Sequence, residues 1–171
     1  MGQSIYITGV AGTVGHALTK RFIDIGQTVI GIYRPPDITS DLGRSRSTTI
    51  NTLKTDAHSL FMPIECSSVF DSEAIANTRE ALKNSSVIYH MGGWSGHKIS
   101  EDQLPGAFAS NVLWTGLLAK LAVETGVKRF NFASTRAVYD FIQREPGVTL
   151  TVNEQTEITL PLDLKNWKDK A

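Results

Sequence analysis

TGVAGTVG, residues 8–15, is the stretch of this sequence that decides its fold. A short β-branched and aromatic run, Ile5 to Thr8, leads into it, and a helical stretch from about Val14 to Ile25 follows it. Three glycines spaced three residues apart thus lie between a strand and a helix, which is the context that a phosphate-binding turn requires. A glycine-rich turn without a ligand is the alternative, and the placement of the motif argues against it.

Each of the three glycines has its own mechanical reason. Gly9 permits the tight turn after the strand, and Gly12 lets a pyrophosphate approach the backbone without meeting a Cβ atom. Gly15 lets the helix pack closely against the strand. The free N–H groups at the start of the helix then face the phosphates. The loop therefore predicts a dinucleotide site.

Outward from this loop, short apolar runs alternate with helical stretches, a pattern typical of a parallel sheet covered on both faces. The predicted strands are Ile5–Thr8, Thr28–Tyr33, Leu60–Ile64, Val87–Met91 and Phe130–Ala133. The predicted helices are Val14–Ile25, a short one around Thr48–Lys54, Asp71–Lys83 and Pro105–Thr125. The residues of the last helix expected to face the sheet are Val112, Leu117, Leu118, Leu121 and Ala122. Right-handed crossovers give the strand order 3-2-1-4-5, so we predict a Rossmann-type doubly wound α/β fold with three layers, αβα.

Length and composition restrict the class of protein. A chain of 171 residues, 41% of them hydrophobic, is long enough for one domain over 1–171 with its own core. Basic and acidic residues both number 17, so no positive field attracts nucleic acid or an anionic membrane. Cys66 is the single cysteine, and no run reaches the roughly 20 apolar residues that span a bilayer. We expect a cytoplasmic protein without a metal site, because neither a paired-cysteine pattern nor HExxH occurs.

The glycine motif has the form TGxxGxxG, and it resembles that of the extended short-chain dehydrogenases/reductases, the NAD(P)-dependent epimerase, dehydratase and reductase family. The segment HMGG at 90–93 is similar to the family's HxAA segment, with glycines in place of the alanines. Asn111 and Thr115 match its NVxGT helix pattern, although Trp114 replaces the glycine. GVKRFNFAST at 126–135 and the following AVY at 137–139 match the family's fifth-strand segment.

The resemblance implies an NAD(P) cofactor. The residues implied in binding it are Thr8, Gly9, Gly12, Thr13, Val14, Gly15, Tyr33, Arg34, Glu65, Cys66, Met91, Gly92, Gly93 and Asn111. Glu65 matches the family's acidic residue that contacts the adenine amino group. Cys66 beside it is expected to be a packed small hydrophobe rather than a reactive thiol.

The end of the second strand indicates which dinucleotide is bound. NAD-binding members have an acidic residue there that accepts hydrogen bonds from the ribose hydroxyls. This chain has Tyr33 at that position and Arg34 after it. A guanidinium can hold a 2′-phosphate with two hydrogen bonds, so we predict NADP, with NAD as the alternative. Arg34 as a solvated strand end is the other interpretation.

The resemblance also implies where the chemistry occurs. Thr135 aligns with the family's substrate-binding hydroxyl residue and Ser134 is its neighbour, although both also suit ordinary capping of a strand end. The family's Tyr-x-x-x-Lys pair, in which the lysine lowers the tyrosine pKa, is not found: Tyr6, Tyr33, Tyr89 and Tyr139 are followed four residues later by Val10, Asp37, Gly93 and Gln143. If the final KNWKDKA matches the family's PYxxSKA, Lys170 takes the lysine position and Asn166 that of the tyrosine. Asn166 cannot release a proton.

Two functions are therefore predicted. The first is an NADP-dependent oxidoreductase, epimerase or dehydratase acting on an unidentified small-molecule substrate. In this interpretation the chain is a truncated or divergent member without the carboxyl-terminal substrate lobe. The second is a non-catalytic NADP-sensing or partner-binding module. An exposed fifth strand carrying Phe130 and Phe132 further predicts self-association as a homo-oligomer, or disorder after about Asp140.

Overall fold

The computed structural model describes residues 4–56, 59–94, 100–135, 153 and 155. The chain divides into two compact units, Met1–Ala133 and Ser134–Ala171. The first unit contains the whole sheet. The predicted disorder from about 141 to 171 concerns residues that lie almost wholly outside the described ones. The prediction of a single domain over 1–171 stays a prediction.

Five parallel strands form one sheet in the order β3-β2-β1-β4-β5. They are β1 (Ser4–Thr8), β2 (Val29–Tyr33), β3 (Phe61–Glu65), β4 (Ser85–His90) and β5 (Arg129–Phe132). The predicted strand order and the Rossmann-type doubly wound fold are confirmed. In such a sheet the ligand crevice lies outside the carboxyl ends of the strands, where the strand order reverses between β1 and β4.

Helices cover both faces of this sheet. They are α1 (Thr13–Asp24), α2 (Asp41–Asp56), α3 (Ser72–Lys83), α4 (Leu104–Phe108) and α5 (Trp114–Thr125). Because side chains alternate along a strand, Ile5 and Ile7 enter a core with residues of α1 and α2, whereas Tyr6 enters a second core with residues of α3 and α5. The central strands β1 and β2 are buried along their whole length. The three-layer αβα architecture follows from these two cores.

Helix α2 is longer than the sequence predicts. The expected helix around Thr48–Lys54 is the second half of a helix that begins at Asp41. Its first half carries almost no apolar residues, so the periodic pattern that identifies an amphipathic helix is missing there. The helix starts because the hydroxyl of Ser40 accepts a hydrogen bond from the N–H of Gly43 at 3.1 Å, as an N-cap residue does.

The predicted helix Pro105–Thr125 is interrupted by a π-helical turn, Ala109–Leu113, between α4 and α5. The wider turn inserts one extra residue and rotates the face that meets the sheet. Val112 is consequently 51% exposed, so its predicted orientation towards the sheet is wrong. Leu118, Leu121 and Ala122 are buried as predicted, and Leu117 packs at the edge of the same core. The helix ends at Gly126, whose φ of +77° favours glycine.

The stretch Leu104–Thr125 is long and apolar enough, by length and composition alone, to cross a membrane. The expectation that no such stretch exists is therefore wrong. Within the fold, the side chains of Trp114, Leu118 and Leu121 are buried in the core between α5 and the sheet. Only 28% of the apolar window in this stretch is buried, so these core contacts account for part of its apolar character.

Candidate functional site

The glycine loop passes directly over the end of β4. Gly9 has a φ of +73°, and a Cβ atom built on it would lie 2.7 Å from Cα of Gly92. The N–H of Gly9 donates to the carbonyl of Ile32 at 2.9 Å, which fixes the turn above β2. Neither the backbone angle nor the space at this position admits a side chain. Gly9 therefore brings the loop against the segment that follows β4.

The other two loop glycines differ in what requires them. A Cβ atom on Gly15 would lie 2.2 Å from the carbonyl oxygen of Gly9, so the packing of α1 on the loop excludes any side chain there. A Cβ atom on Gly12 would lie 3.3 Å from the same oxygen, and its φ of −89° and ψ of 163° suit any residue. The fold thus excludes a side chain at Gly15, whereas one at Gly12 would require the carbonyl of Gly9 to shift by a few tenths of an ångström. A ligand close to the backbone is the remaining reason for glycine at position 12.

Helix α1 begins with backbone N–H groups that have no partner inside the helix. Gly12 is the N-cap residue, and no described side chain caps this end. The N–H of Gly12 is used by the turn, and the first helical hydrogen bond runs from His16 to Gly12. The N–H groups of Thr13, Val14 and Gly15 are therefore available to an anion. The first turn contains no acidic residue that would compete with it.

A line of hydrogen bonds runs beneath the loop from β1 to α5. The N–H of Gly92 donates to Oγ1 of Thr8 at 2.9 Å, and this hydroxyl lies 2.6 Å from Nδ1 of His90. On the other side of the ring, Nε2 lies 2.9 Å from Oγ1 of Thr115, which donates to the carbonyl of Asn111 at 2.8 Å. The residues of β1, β4 and α5 that surround the loop are linked in this way.

The directions of these bonds follow from the protonation state of His90. Burial lowers the pKa of His90 to about 4, so the ring is neutral at pH 7. The hydroxyl of Thr115 already donates its proton to a carbonyl, so it can only accept from the ring, and Nε2 of His90 donates to it. Nδ1 of the neutral ring then carries no proton and accepts from Thr8. Thr8 is buried, and it supports the loop from below. A direct contact between Thr8 and the cofactor stays a prediction.

Asn111, in the π-helical turn, holds the backbone that follows β4. Its Oδ1 accepts the N–H of Trp94 at 2.6 Å, and its Nδ2 donates to the carbonyl of Trp94 at 3.0 Å. A Cβ atom on Gly93 would lie 2.9 Å from Oδ1, so a side chain there would displace the amide of Asn111. The structure assigns to Asn111 a positioning role for 91–94 that the sequence did not predict. The predicted cofactor contacts of Met91, Gly92, Gly93 and Asn111 stay predictions.

At the far end of the crevice, a second polar group lies where β2 and β3 end. Tyr33 and Glu65 are partners in the strand register, and the Tyr33 hydroxyl donates to Oε2 of Glu65 at 3.1 Å. Nζ of Lys54 donates to the same hydroxyl at 3.1 Å and lies 5.4 Å from the centre of the Tyr33 ring. The Tyr33 side chain is buried, and its hydroxyl is the polar group that it contributes to this end of the crevice. The sequence indicates Lys54, together with Arg44 and Arg46, as a basic residue that could add positive charge near Arg34, but it does not place any of the three.

Arg34 and Cys66 lie at the same end. Arg34 is exposed, and its guanidinium forms no hydrogen bond or ion pair with another described residue. Burial raises the pKa of the Cys66 thiol, and this effect exceeds the lowering by the nearby Arg34 charge. The half-buried thiol donates to the carbonyl of Ser68 at 3.2 Å. These features agree with Cys66 as a packed residue and leave Arg34 open to an anion.

The predicted catalytic residues belong to the second unit. Ser134 and Thr135 are exposed and follow the end of β5 along the chain. Lys170 lies outside the described residues. The catalytic roles of all three stay predictions. Across the described part of the chain, no group of three or more His, Cys, Asp or Glu side chains is arranged to hold a metal ion.

The sequence pattern of the NAD dependent epimerase/dehydratase family matches residues 5–161. No curated protein matches the chain in sequence. Among solved structures, MoeE5 in complex with UDP-glucose and NAD is similar at 26% identity, with a TM-score of 0.59 over 80% of this chain and 38% of that one. A short-chain dehydrogenase/reductase superfamily protein from Agrobacterium tumefaciens with bound NAD is 25% identical, with a TM-score of 0.63 over 91% and 39% of the two chains.

UDP-glucose 4-epimerase from Bifidobacterium longum, in complex with NAD+ and UDP, shares the fold at 18% identity. Its TM-score is 0.69 over 91% of this chain and 42% of that one. The chain spans about two fifths of the length of these three structures.

Proposed function

This chain belongs to the NAD dependent epimerase/dehydratase family, and we propose that it binds NADP(H) in the crevice between the glycine loop and the end of β4. The observation that carries the proposal is the start of α1. Three backbone N–H groups converge there beside Gly12, at which the fold requires glycine less strictly than at Gly15. A diphosphate supplies the negative charge and the close backbone approach that explain both features.

The preference for NADP rests on residues of this chain. The three similar structures described above hold NAD. At the end of β2, however, this chain has no carboxylate to accept the ribose hydroxyls of NAD, because Tyr33 stands there with its hydroxyl already bound to Glu65. The neighbouring Arg34 is exposed and unpaired with any described residue, and it can grip a 2′-phosphate with two hydrogen bonds.

The proposed activity is oxidoreductase, epimerase or dehydratase chemistry on a small molecule, with a nucleoside diphosphate sugar as the first candidate. A bound nicotinamide would supply the capacity to accept or give a hydride at its C4 atom. Thr135, with Ser134 beside it, would orient the substrate oxygen, and the segment 91–94 held by Asn111 would border the reacting end of the cofactor. We place the protein in the cytoplasm, without nucleic-acid or membrane partners.

A non-catalytic NADP-sensing or partner-binding module is the second candidate. One observation favours it: none of the four tyrosines is followed by a lysine four residues later. These 171 residues therefore lack the family's arrangement, in which a lysine four positions after a tyrosine lowers the pKa of that tyrosine for proton exchange at neutral pH. Such a module would keep the cofactor site and lack turnover.

Two measurements on the 171-residue chain separate these proposals. Calorimetric titration with NADPH and with NADH measures binding. Turnover is measured by the loss of NADPH absorbance with carbonyl compounds, by the gain of NADPH absorbance with NADP+ and UDP-glucose, and by chromatography of the products of UDP-glucose, because epimerisation and dehydration consume no net cofactor. We expect binding of both dinucleotides, with NADPH the tighter. Binding with turnover supports the enzyme, whereas binding without turnover supports the module. Failure to bind either dinucleotide would overturn the proposed function.

A further inference from the structure

A small cavity lies between α2 and the carboxyl ends of β2 and β3. Its volume is about 80 Å³, and its lining residues are Tyr33, Pro36, Ser47, Ile50, Asn51, Lys54 and Glu65. Sites for whole ligands of drug size or larger run from roughly 300 to 1,000 Å³. This cavity therefore has room for a single substituent of a larger ligand that lies in the crevice above it.

Three hydrogen-bond donors of α2 face this cavity from one side. Ser47, Asn51 and Lys54 are spaced i, i+4 and i+7, so they share one face of the helix. They offer a hydroxyl, an amide and an ammonium group, which together suit the oxygens of a phosphate. The group that fills the cavity is thus expected to be an acceptor-rich anion.

The ammonium of Lys54 is held in place before any ligand arrives. It donates to the Tyr33 hydroxyl at 3.1 Å and lies 5.4 Å from the centre of the Tyr33 ring. Tyr33 itself is fixed, because its side chain is 5% exposed and its hydroxyl also donates to Glu65. A lysine already hydrogen-bonded to a fixed hydroxyl loses less conformational entropy when it binds a phosphate than a free surface lysine does.

The negative carboxylate of Glu65 repels an anion, so binding depends on the balance of charges at this end of the crevice. Its carboxylate accepts from Tyr33, while Lys54 binds the other side of the same hydroxyl. The exposed guanidinium of Arg34 follows Tyr33 directly in the chain. The Asp71 carboxylate also acts on the neighbouring Cys66, together with Arg34. The two cations therefore face two carboxylates, and neutralising Lys54 would leave this end of the crevice negative.

From this geometry we propose that the cavity binds the 2′-phosphate of NADP and that Lys54 is the residue that distinguishes NADP from NAD, beside Arg34. The inference rests on the proposed function, because it needs a dinucleotide across the carboxyl ends of the strands. In a doubly wound sheet, the phosphates lie at the first loop, and the adenosine ribose lies towards the end of β2, which adjoins the cavity. A phosphate on that ribose has Lys54, Asn51 and Ser47 as its nearest donors.

The test compares Lys54→Gln and Lys54→Arg with the unchanged protein by calorimetric titration with NADPH and NADH. We expect Lys54→Gln to weaken NADPH binding about tenfold, the value of one charge-assisted hydrogen bond, and to leave the Kd for NADH unchanged. Lys54→Arg keeps the charge and should retain most of the preference. Glu65→Gln keeps an acceptor for Tyr33 and removes the opposing charge, so it should strengthen NADPH binding relative to NADH.

Lys83→Gln is the matched control, since Lys83 is also in the last turn of an exposed helix, where it pairs with Glu80. It should change neither Kd. If the unchanged protein binds both dinucleotides and Lys54→Gln leaves the ratio of the two Kd values unaltered, or weakens both equally, the role of Lys54 is wrong and the proposed function stands. If the unchanged protein binds neither dinucleotide, both proposals fail.

Discussion

The hydroxyl of Thr8 lies 2.6 Å from Nδ1 of His90, directly beneath the glycine loop. The same hydroxyl accepts the N–H of Gly92 at 2.9 Å, so one side chain joins the end of β1 to the end of β4 and to the segment after it. Thr8 can donate to His90 only while Nδ1 carries no proton. Protonation of Nδ1 on the buried His90 ring would therefore break the hydrogen bond from Thr8 beneath the glycine loop.

The first prediction concerns stability against pH. The folded-state pKa of His90 is lowered to about 4 from an ordinary value of 6.5, so between these values the unfolded chain binds more protons than the folded one. The contribution of the neutral His90 ring to the free energy of unfolding is fully present above pH 6.5 and is lost as the pH falls towards 4. Between pH 6.5 and pH 5, the free energy of unfolding of the unchanged protein should fall by about 2 kcal/mol more than that of His90→Gln, as measured by urea unfolding.

Comparison with His90→Gln removes the shared pH dependence of the carboxylates, such as Glu124, whose pKa is lowered by its hydrogen bonds to Lys120 and Arg79. Equal slopes for the two proteins would show that His90 is charged in the fold or exposed in solution.

The second prediction separates the two loop glycines. Gly15→Ala places a methyl group 2.2 Å from the carbonyl oxygen of Gly9, and we expect it to destabilise the fold by about 1–3 kcal/mol or more. Gly12→Ala should cost less in thermal stability than Gly15→Ala, because its Cβ would lie 3.3 Å from the same oxygen and needs a shift of only a few tenths of an ångström. It should weaken NADPH binding at least about tenfold by keeping the diphosphate off the backbone. Thermal unfolding and titration measure the two effects. Undiminished binding by Gly12→Ala would remove the main support for the dinucleotide.

The sequence predicted the strands and their order because the signals for them are local. β1 and β2 are buried on both faces, so each appears as an unbroken apolar run, and the glycine loop marks the turn between β1 and α1. The start of β4 was placed two residues late, since it begins with serines. Ser85 is buried with its hydroxyl on the carbonyl of Ala81, a partner that hydrophobic periodicity does not reveal.

The site was predicted less completely because its contacts join residues far apart in sequence. His90 and Thr115 are 25 residues apart, and Tyr33 and Lys54 are 21 apart. Such pairs depend on side-chain rotamers and on the rotation of a helix, which a pattern of residue types does not fix. One local signal did exist: the i, i+4 spacing of Asn111 and Thr115 places both on one face of their helix.

The third prediction tests the hold of Asn111 on the segment after β4. Asn111→Ala removes both hydrogen bonds to the backbone of Trp94, and the exposed position limits the loss of global stability to about 1 kcal/mol. Amide exchange of Trp94 should become faster, while exchange within the central strands stays slow. Ser110→Ala, in the same π-helical turn, is the matched control and should leave Trp94 unaffected. Unchanged exchange at Trp94 in Asn111→Ala would show that the segment is held by other groups.

The last prediction concerns the edge of the sheet. Among the described residues, β5 pairs with β4 alone, so no other described strand pairs with its outer row of backbone N–H and C=O groups. Phe132 at its end is 52% exposed, although its ring also lies 5.7 Å from that of His90. We propose that two copies of the chain associate through this edge, because an edge strand that exposes an aromatic side chain favours pairing with another strand, despite the charge of Arg129 at its start.

Phe132→Lys should shift the protein towards the monomer in sedimentation velocity, since a lysine on an edge strand disfavours pairing between chains. Phe70→Lys introduces the same charge at another exposed phenylalanine, 42% exposed, and should leave association unchanged. Thermal unfolding of both variants checks that the shift towards the monomer is not caused by lost stability when the contact of Phe132 with His90 is removed. A monodisperse monomer of the unchanged protein with slow amide exchange along β5 would mean that the edge is covered within the chain itself, and association through β5 would then be wrong.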